Sequence, residues 1–494
     1  MGLNELKEEL YKIARVKSAI SLLQWDLSTY MPPRGISWRA EVLGELTEYA
    51  FSLFTSEKMG ELIEKAQEIA ETEEDLALIR LTKKEYEKYK KIPKKLFIEF
   101  QKERARTEKL WEEARKQDDF LIIQEGLSNI VKMLIEIADC IGYEKNRYDA
   151  LLDEYEPGFK TEKLKELCSP MRVELSSLLE KIEPSHSRIK ALPEICKGPF
   201  PINKQKELCH KVLTLLGFDF SSGRLDESAH PFTEAIGIND VRITTRYSER
   251  DFSQALFAVL HECGHALYDL NIPKEFFGLP IGEGASSGFH ESQARFWENF
   301  IGRSLGFLAF LKPTLDELFP SLKEVKPEEL WQSLNKVQRS LIRVNSDEVT
   351  YNLHIILRFE LEEALINENL RVSDLPCAWN EKVEDYLGLK PKNVKEGVLQ
   401  DIHWAAGLFG YFPSYMLGNI YAGQIFWKVK ESIPDMKEAI LKGKFNIISD
   451  WLKENIYSFG KIYEPLELIR KVSGEELSYK YLLDYLREKF FSMG

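Results

Sequence analysis

The stretch "DFSQALFAVLHECGHALYDLNIP", residues 251–273, constrains the fold more than any other part of the chain. Phe252, Leu256, Val259, Leu260, Cys263, Leu267 and Leu270 recur at helical spacing and demand a core against which to pack. Asp251 or Ser253 can cap the start, and Pro273 closes the end. On such a helix His261 and His265 are neighbours, with Cβ atoms roughly 5–6 Å apart, so two imidazoles can converge on one ion. Glu262, one step round, lies where a base must sit to hold a water at that ion, the logic of HExxH metallopeptidases. The plainer alternative is a pair of structural histidines. Cys263 points off the histidine face and reads as core.

A tetrahedral metal with an open position needs a third protein ligand. "GEGASSGFHESQARFWENFIGRSLGFL", starting at Gly282, offers one after a loop long enough for an antiparallel return. Ser286 or Ser287 can cap a second helix, and Glu291 falls in its first turns. Glu291 is the favoured ligand, with His290 and Glu298 as rivals. Two neutral imidazoles and one carboxylate would leave the site near +1, which keeps the metal a strong Lewis acid.

Upstream, "PFTEAIGINDVRITTRY" (231–247) reads as a short hairpin beside the motif helix, with "GIND" as its turn. An edge strand there can pair with a peptide backbone. Elsewhere the chain is mainly helical, and nothing splits it cleanly. It is read as one unit of residues 1–494. Residues 1–200 form an N-terminal helical part and cleft roof, and 201–494 the catalytic part. The charged segment 76–119 reads as helix with a solvated lysine face, a hairpin roofing a cleft being the alternative. The proline-dense stretch 182–205 reads as loop.

A net charge of −13 argues against nucleic-acid binding. The six cysteines are scattered without a CxxC pair, which fits a reducing, cytoplasmic setting. The N-terminus lacks a signal-peptide apolar core, and Leu6 breaks the myristoylation pattern. Residues 404–427 carry no charge, but their glycines, Pro413, Asn419 and Gln424 make them buried wall, not membrane span.

Six ordered blocks then carry a resemblance: "HPF" (230–232), "DVRIT" (240–244), "HECGH" (261–265), "HESQ" (290–293), "IRVNSD" (342–347) and "GVLQDIHW" (397–404). With "QWDLSTYMPPRG" near the N-terminus, the chain closely resembles the thermostable carboxypeptidase (carboxypeptidase Taq) family of HExxH metallopeptidases. Ser346 stands where the family more often has alanine. The resemblance implies a large, mainly α, zincin-type fold, saddle-shaped with a deep central cleft. It also implies metal-dependent removal of C-terminal residues with broad specificity, a homodimer, and one zinc or cobalt ion per chain. It carries over His261, His265 and Glu291 as ligands and Glu262 as the catalytic carboxylate.

The tetrahedral intermediate needs a donor. Tyr415, assisted by His403, is chosen on the family pattern, while Tyr411, the further candidate for the substrate site, reads more readily as a buried amphipathic filler. A free substrate carboxylate calls for arginine. Arg343 is preferred and Arg242 held as helper, against internal pairing with Asp347 or Asp240. His230 is expected to line the same pocket. The competing functions are an oligoendopeptidase or dipeptidase with the same centre, and a non-catalytic helical scaffold holding a structural metal.

Overall fold

Asp251 accepts a hydrogen bond from the Ser253 amide (2.9 Å) and so starts the motif helix, Phe252–Asn271. The helix stops at Ile272, whose extended backbone is what a following proline requires. Its stripe is fully buried at Phe252, Leu256, Val259, Leu260 and Cys263. This is a computed structural model, and it describes residues 2–493. Helices hold 69% of the residues, and the sheet is small, so the class is mainly α.

The expected hairpin is present as β2 (Thr233–Gly237) and β3 (Asp240–Thr245), paired antiparallel with a bulge between Ala235 and Gly237. Asn239 turns the corner at φ 58°, a left-handed conformation that asparagine tolerates. A further strand, β1 (Gly223–Glu227), pairs parallel to β3 and gives the order β1-β3-β2. It escaped sequence reading because "GRLDE" is mostly charged and lacks a β-branched alternation. The N-terminal helix, Gly2–Thr29, docks on this sheet through buried Trp25. Arg242 and Arg224 lie over the indole at 4.2 and 5.1 Å. Asp240 and Asp226 hold these two guanidiniums in turn.

The charged segment forms two helices, Glu73–Lys91 and Lys94–Gln117, broken where Pro93 forces Ile92 into an extended conformation. The solvated-face reading holds for exposed Lys90 and Lys91. Lys84 and Lys88 instead turn to a cavity wall, drawn there by Asp153 and Glu154 beside the end of helix Tyr148–Tyr155. The 182–205 stretch is less loop-like than expected. Helix Thr161–His186 runs on through Pro184 in its last turn, a short helix spans Leu192–Ile195, and the next begins at Ile202.

Residues 412–432 form a helix whose first turn carries Pro413 and which is buried from Phe412 to Ile425 except at Tyr415. Among the described residues no helix is long and apolar enough to cross a membrane. Trp25→Ala removes the indole between two arginines, at a cost of about 3–5 kcal/mol. Faster amide exchange and proteolysis confined to residues 2–29, with metal binding retained, is the expected result.

Candidate active site

Three helices meet at the centre: the motif helix, the Glu291 helix (Ser287–Arg295) and the Tyr415 helix (Phe412–Ser432). Ser286 caps the second by accepting from the Phe289 amide at 2.9 Å. Two glycines set how closely these helices lie. A Cβ on Gly264, inside HECGH, would meet Gln293 O at 2.4 Å and Ala294 Cα at 2.6 Å. One on Gly418 would meet Glu291 Cγ at 2.5 Å.

That approach brings Glu291 Oε2 to 3.7 Å from both His261 Nε2 and His265 Nε2. Among the described residues this is the one group of three ligand-type side chains within coordinating reach of one another. The donor set fits a divalent ion, because every other hydrogen-bonding atom of these side chains faces outward to a partner. His261 Nδ1 lies 3.0 Å from Glu298 Oε2, so Nδ1–H donates and Nε2 keeps its lone pair. His265 Nδ1 lies 2.6 Å from His290 Nδ1, and His290 Nε2 lies 2.9 Å from Asp269 Oδ1. Asp269 can only accept. His290 therefore donates from Nε2 and accepts at Nδ1 from His265, whose Nε2 lone pair is left facing Glu291. Arg295 Nε donates to Glu291 Oε1 at 2.7 Å, which leaves Oε2 for the centre.

His290 and Glu298, the rival third ligands, thus stand behind the imidazoles. A π-helical turn over Phe296–Gly302 carries Glu298 toward His261. Arg295 and Arg303 also donate to Glu298, and with His261 they hold its carboxyl far below the usual range despite burial. Burial and the neighbouring His290 and His261 push His265 well below the ordinary histidine value, so its ring is neutral, as a ligand must be. Beside the centre, Glu262 is buried, and that burial raises its pKa. Thr233 Oγ1 on β2 lies 2.8 Å from its Oε2.

The family model described as carboxypeptidase Taq (M32) metallopeptidase matches residues 5–490. The chain belongs to that family. It is accordingly a metal-dependent peptide hydrolase, a carboxypeptidase whose family membership implies a divalent metal. It is 39% identical to carboxypeptidase 1 of Bacillus subtilis, covering 99% of this chain and 98% of that one. It is 40% identical to thermostable carboxypeptidase 1 of Thermus thermophilus, covering 97% and 96%. A solved structure of Pyrococcus furiosus carboxypeptidase superposes with a TM-score of 0.96 at 36% identity, covering 99% of each chain.

In this M32 carboxypeptidase two cavities meet at the centre, sharing Pro231, His261 and Glu262 in their walls. The larger, about 850 Å³, also takes in His265, His290, Glu291, Tyr411 and Tyr415. The smaller, about 630 Å³, takes in Arg295, Arg343 and Tyr351. Tyr415 Oη lies 3.0 Å from His403 Nε2. Burial pushes His403 down to about 4, so it is neutral. Tyr411 packs edge-on against Tyr155 and Tyr415, with ring centroids at 5.1 and 5.2 Å.

Arg343 is not paired with Asp347, which instead accepts from the Val349 and Thr350 amides at the start of the next helix. Its partner is Asp401, which it meets from both Nε and Nη2 (3.0 and 2.8 Å) and which it shares with fully buried Arg358. Arg242 lines neither cavity: Asp240 holds it at 2.9 Å and the Trp25 ring lies against it at 4.2 Å. His230 is exposed and lines neither cavity, although Pro231 and Phe232 beside it do. Thr233, Asp269, Arg295 and Asp401 escaped the sequence reading. Only Asp269 and Arg295 left a signal, each lying one helical turn after a ligand.

Two substitutions test the outer supports. His290→Ala strands the His265 Nδ1–H, and Gly418→Ala displaces Glu291. Each lowers zinc affinity about 10–100-fold in chelator competition, with helical circular dichroism retained.

Proposed function

We propose that this carboxypeptidase cleaves the last peptide bond of its substrate, with Glu262 as general base and Arg343 gripping the free carboxylate. A bound divalent cation supplies Lewis acidity at the scissile carbonyl and acidifies water. The N,N,O donor set suits zinc, with cobalt as the alternative. Glu262 takes the water's proton and returns it to the leaving amine. Its burial supports this, since a raised pKa strengthens the carboxylate as a base. Thr233 steadies one carboxylate oxygen and leaves Oε1 for proton transfer.

Tyr415 donates to the carbonyl oxygen as charge develops there. His403 Nδ1 is buried without a partner among the described residues. An orphaned lone pair costs less than an orphaned N–H, so the proton belongs on Nε2, donating to the phenol oxygen. The Tyr415 hydroxyl proton is then free for the substrate. Tyr411 lines the same wall as a substrate contact.

The observation that carries the carboxylate reading is that Arg343 and Arg358 share one carboxylate, Asp401. One buried positive charge is left over. Arg358 is sealed, so the surplus reaches solvent through Arg343, whose side chain lines the smaller cavity. Asp401 and Tyr351 engage three of its five N–H groups and leave two. The substrate C-terminus therefore enters the smaller cavity, and the upstream chain runs out through the larger, beside the free edge of β2. Residues 1–200 roof this path and 201–494 carry the chemistry within one unit. Broad specificity, a homodimer and a cytoplasmic setting complete the reading on family resemblance.

Glu262→Gln is expected to bind metal normally while kcat falls about 10²–10⁴-fold. Arg343→Met is expected to raise KM for free-acid peptides about 10–100-fold, with little change for C-terminally amidated ones, which the parent enzyme resists. Ready hydrolysis of amidated peptides by the parent enzyme would instead identify an endopeptidase.

A further inference from the structure

The larger cavity is lined with charges, and most are neutralised in place. Lys84 pairs with Asp153 at 3.0 Å, Lys461 with Glu283 at 2.9 Å, and Lys88 with Glu154. Glu85, on helix Glu73–Lys91, lines the same wall but has no ion pair or hydrogen bond among the described residues. It is partly buried, and the side chains of Tyr89 and Tyr155 line the cavity with it. A carboxylate taken partly out of water without a partner is costly, and a cation brought to it recovers that cost. Tyr89 lies one helical turn from Glu85 on the same wall, and an aromatic ring near a carboxylate suits an ammonium or guanidinium group. Lys17, exposed on the N-terminal helix, also lines the cavity without an ion pair among the described residues.

We infer that Glu85, with Tyr89 one helical turn away, determines specificity for a cationic group of the peptide upstream of the scissile bond. The group is a lysine or arginine side chain, or the free α-ammonium of a short peptide. The inference rests on the proposed orientation, in which the upstream chain occupies the larger cavity. It adds a recognition element to a wall otherwise neutralised by internal pairs.

The test uses the zinc-loaded full chain and N-acetylated alanine peptides of one length, in which lysine or norleucine is walked upstream one position at a time. Norleucine controls for the apolar stem. A second set compares acetylated with free N-termini. The expected result is one position where lysine exceeds norleucine in kcat/KM by about tenfold, or one length at which the free amine does so. Glu85→Gln, which keeps the shape, brings that ratio to about one, and Lys17→Ala raises it. The ratio also falls with added salt. The inference is overturned if no position or length shows the preference, or if the preference survives Glu85→Gln. Release of C-terminal residues from every peptide without any preference would refute the Glu85 assignment alone. Internal cleavage would refute the orientation on which it rests.

Discussion

The centre depends on how closely the Glu291 helix lies against the motif helix. Nε2 atoms of two histidines one turn apart define a point in space, but only a carboxylate from elsewhere can complete three donors around it. Glu291 arrives because Gly264 presents no side chain to Gln293 and Ala294, and Gly418 presents none to Glu291 itself. Backbone therefore packs on backbone along one side of the ligand helix and on the ligand's own stem along the other. Protein interiors are too dense to absorb an extra methyl there without moving the carboxylate. The ligand geometry is thus a packing property of three helices, more than a property of three residues.

Electrostatics then orients what packing has brought together. Each inward-facing ligand atom is matched by an outward hydrogen bond: Glu298 behind His261, His290 and Asp269 behind His265, Arg295 behind Glu291. Such buried charges are expensive unless each is held by several partners. Glu298 illustrates this by accepting from His261, Arg295 and Arg303. The network leaves the ligands little freedom to turn away, so little ordering remains to be done when an ion binds.

Much of this was legible in the sequence where the signal was periodic or local. The motif helix with a cap at Asp251 or Ser253, the hairpin with its turn at "GIND" and a second helix capped by Ser286 or Ser287 follow from spacing and capping chemistry, whereas spacing only favoured Glu291 over His290 and Glu298 and the family resemblance carried that choice. Pairings across long stretches of chain were not legible. Nothing near Arg343 in sequence points to Asp401, and the local alternative, Asp347, was engaged by the Val349, Thr350 and Gln338 amides. Arg242 shows the opposite case, since its neighbour Asp240 did take it, and Trp25, more than 200 residues upstream, closed over it. Glu298 stands where it does because of a π-helical turn, which residue counting at 3.6 per turn does not anticipate. Strand β1 was invisible because its pairing, more than its composition, makes it a strand.

The two cavities differ in a way that bears on direction of binding. Beside the smaller one lies a buried excess of positive charge, fixed by the sharing of Asp401 between Arg343 and Arg358. The lysines of the larger one are mostly matched by acids. A peptide has a negative end and an upstream chain of any charge, so the proposed orientation sends the carboxylate toward Arg343. The reversed orientation would place the ammonium end against the arginine pair and leave the carboxylate in the cavity that holds the unpaired acid Glu85. Like-charge contacts of this kind reject a wrong pose more sharply than favourable contacts select the right one. Exopeptidase direction can then follow from where the unmatched charge lies, while the metal centre itself is indifferent to it.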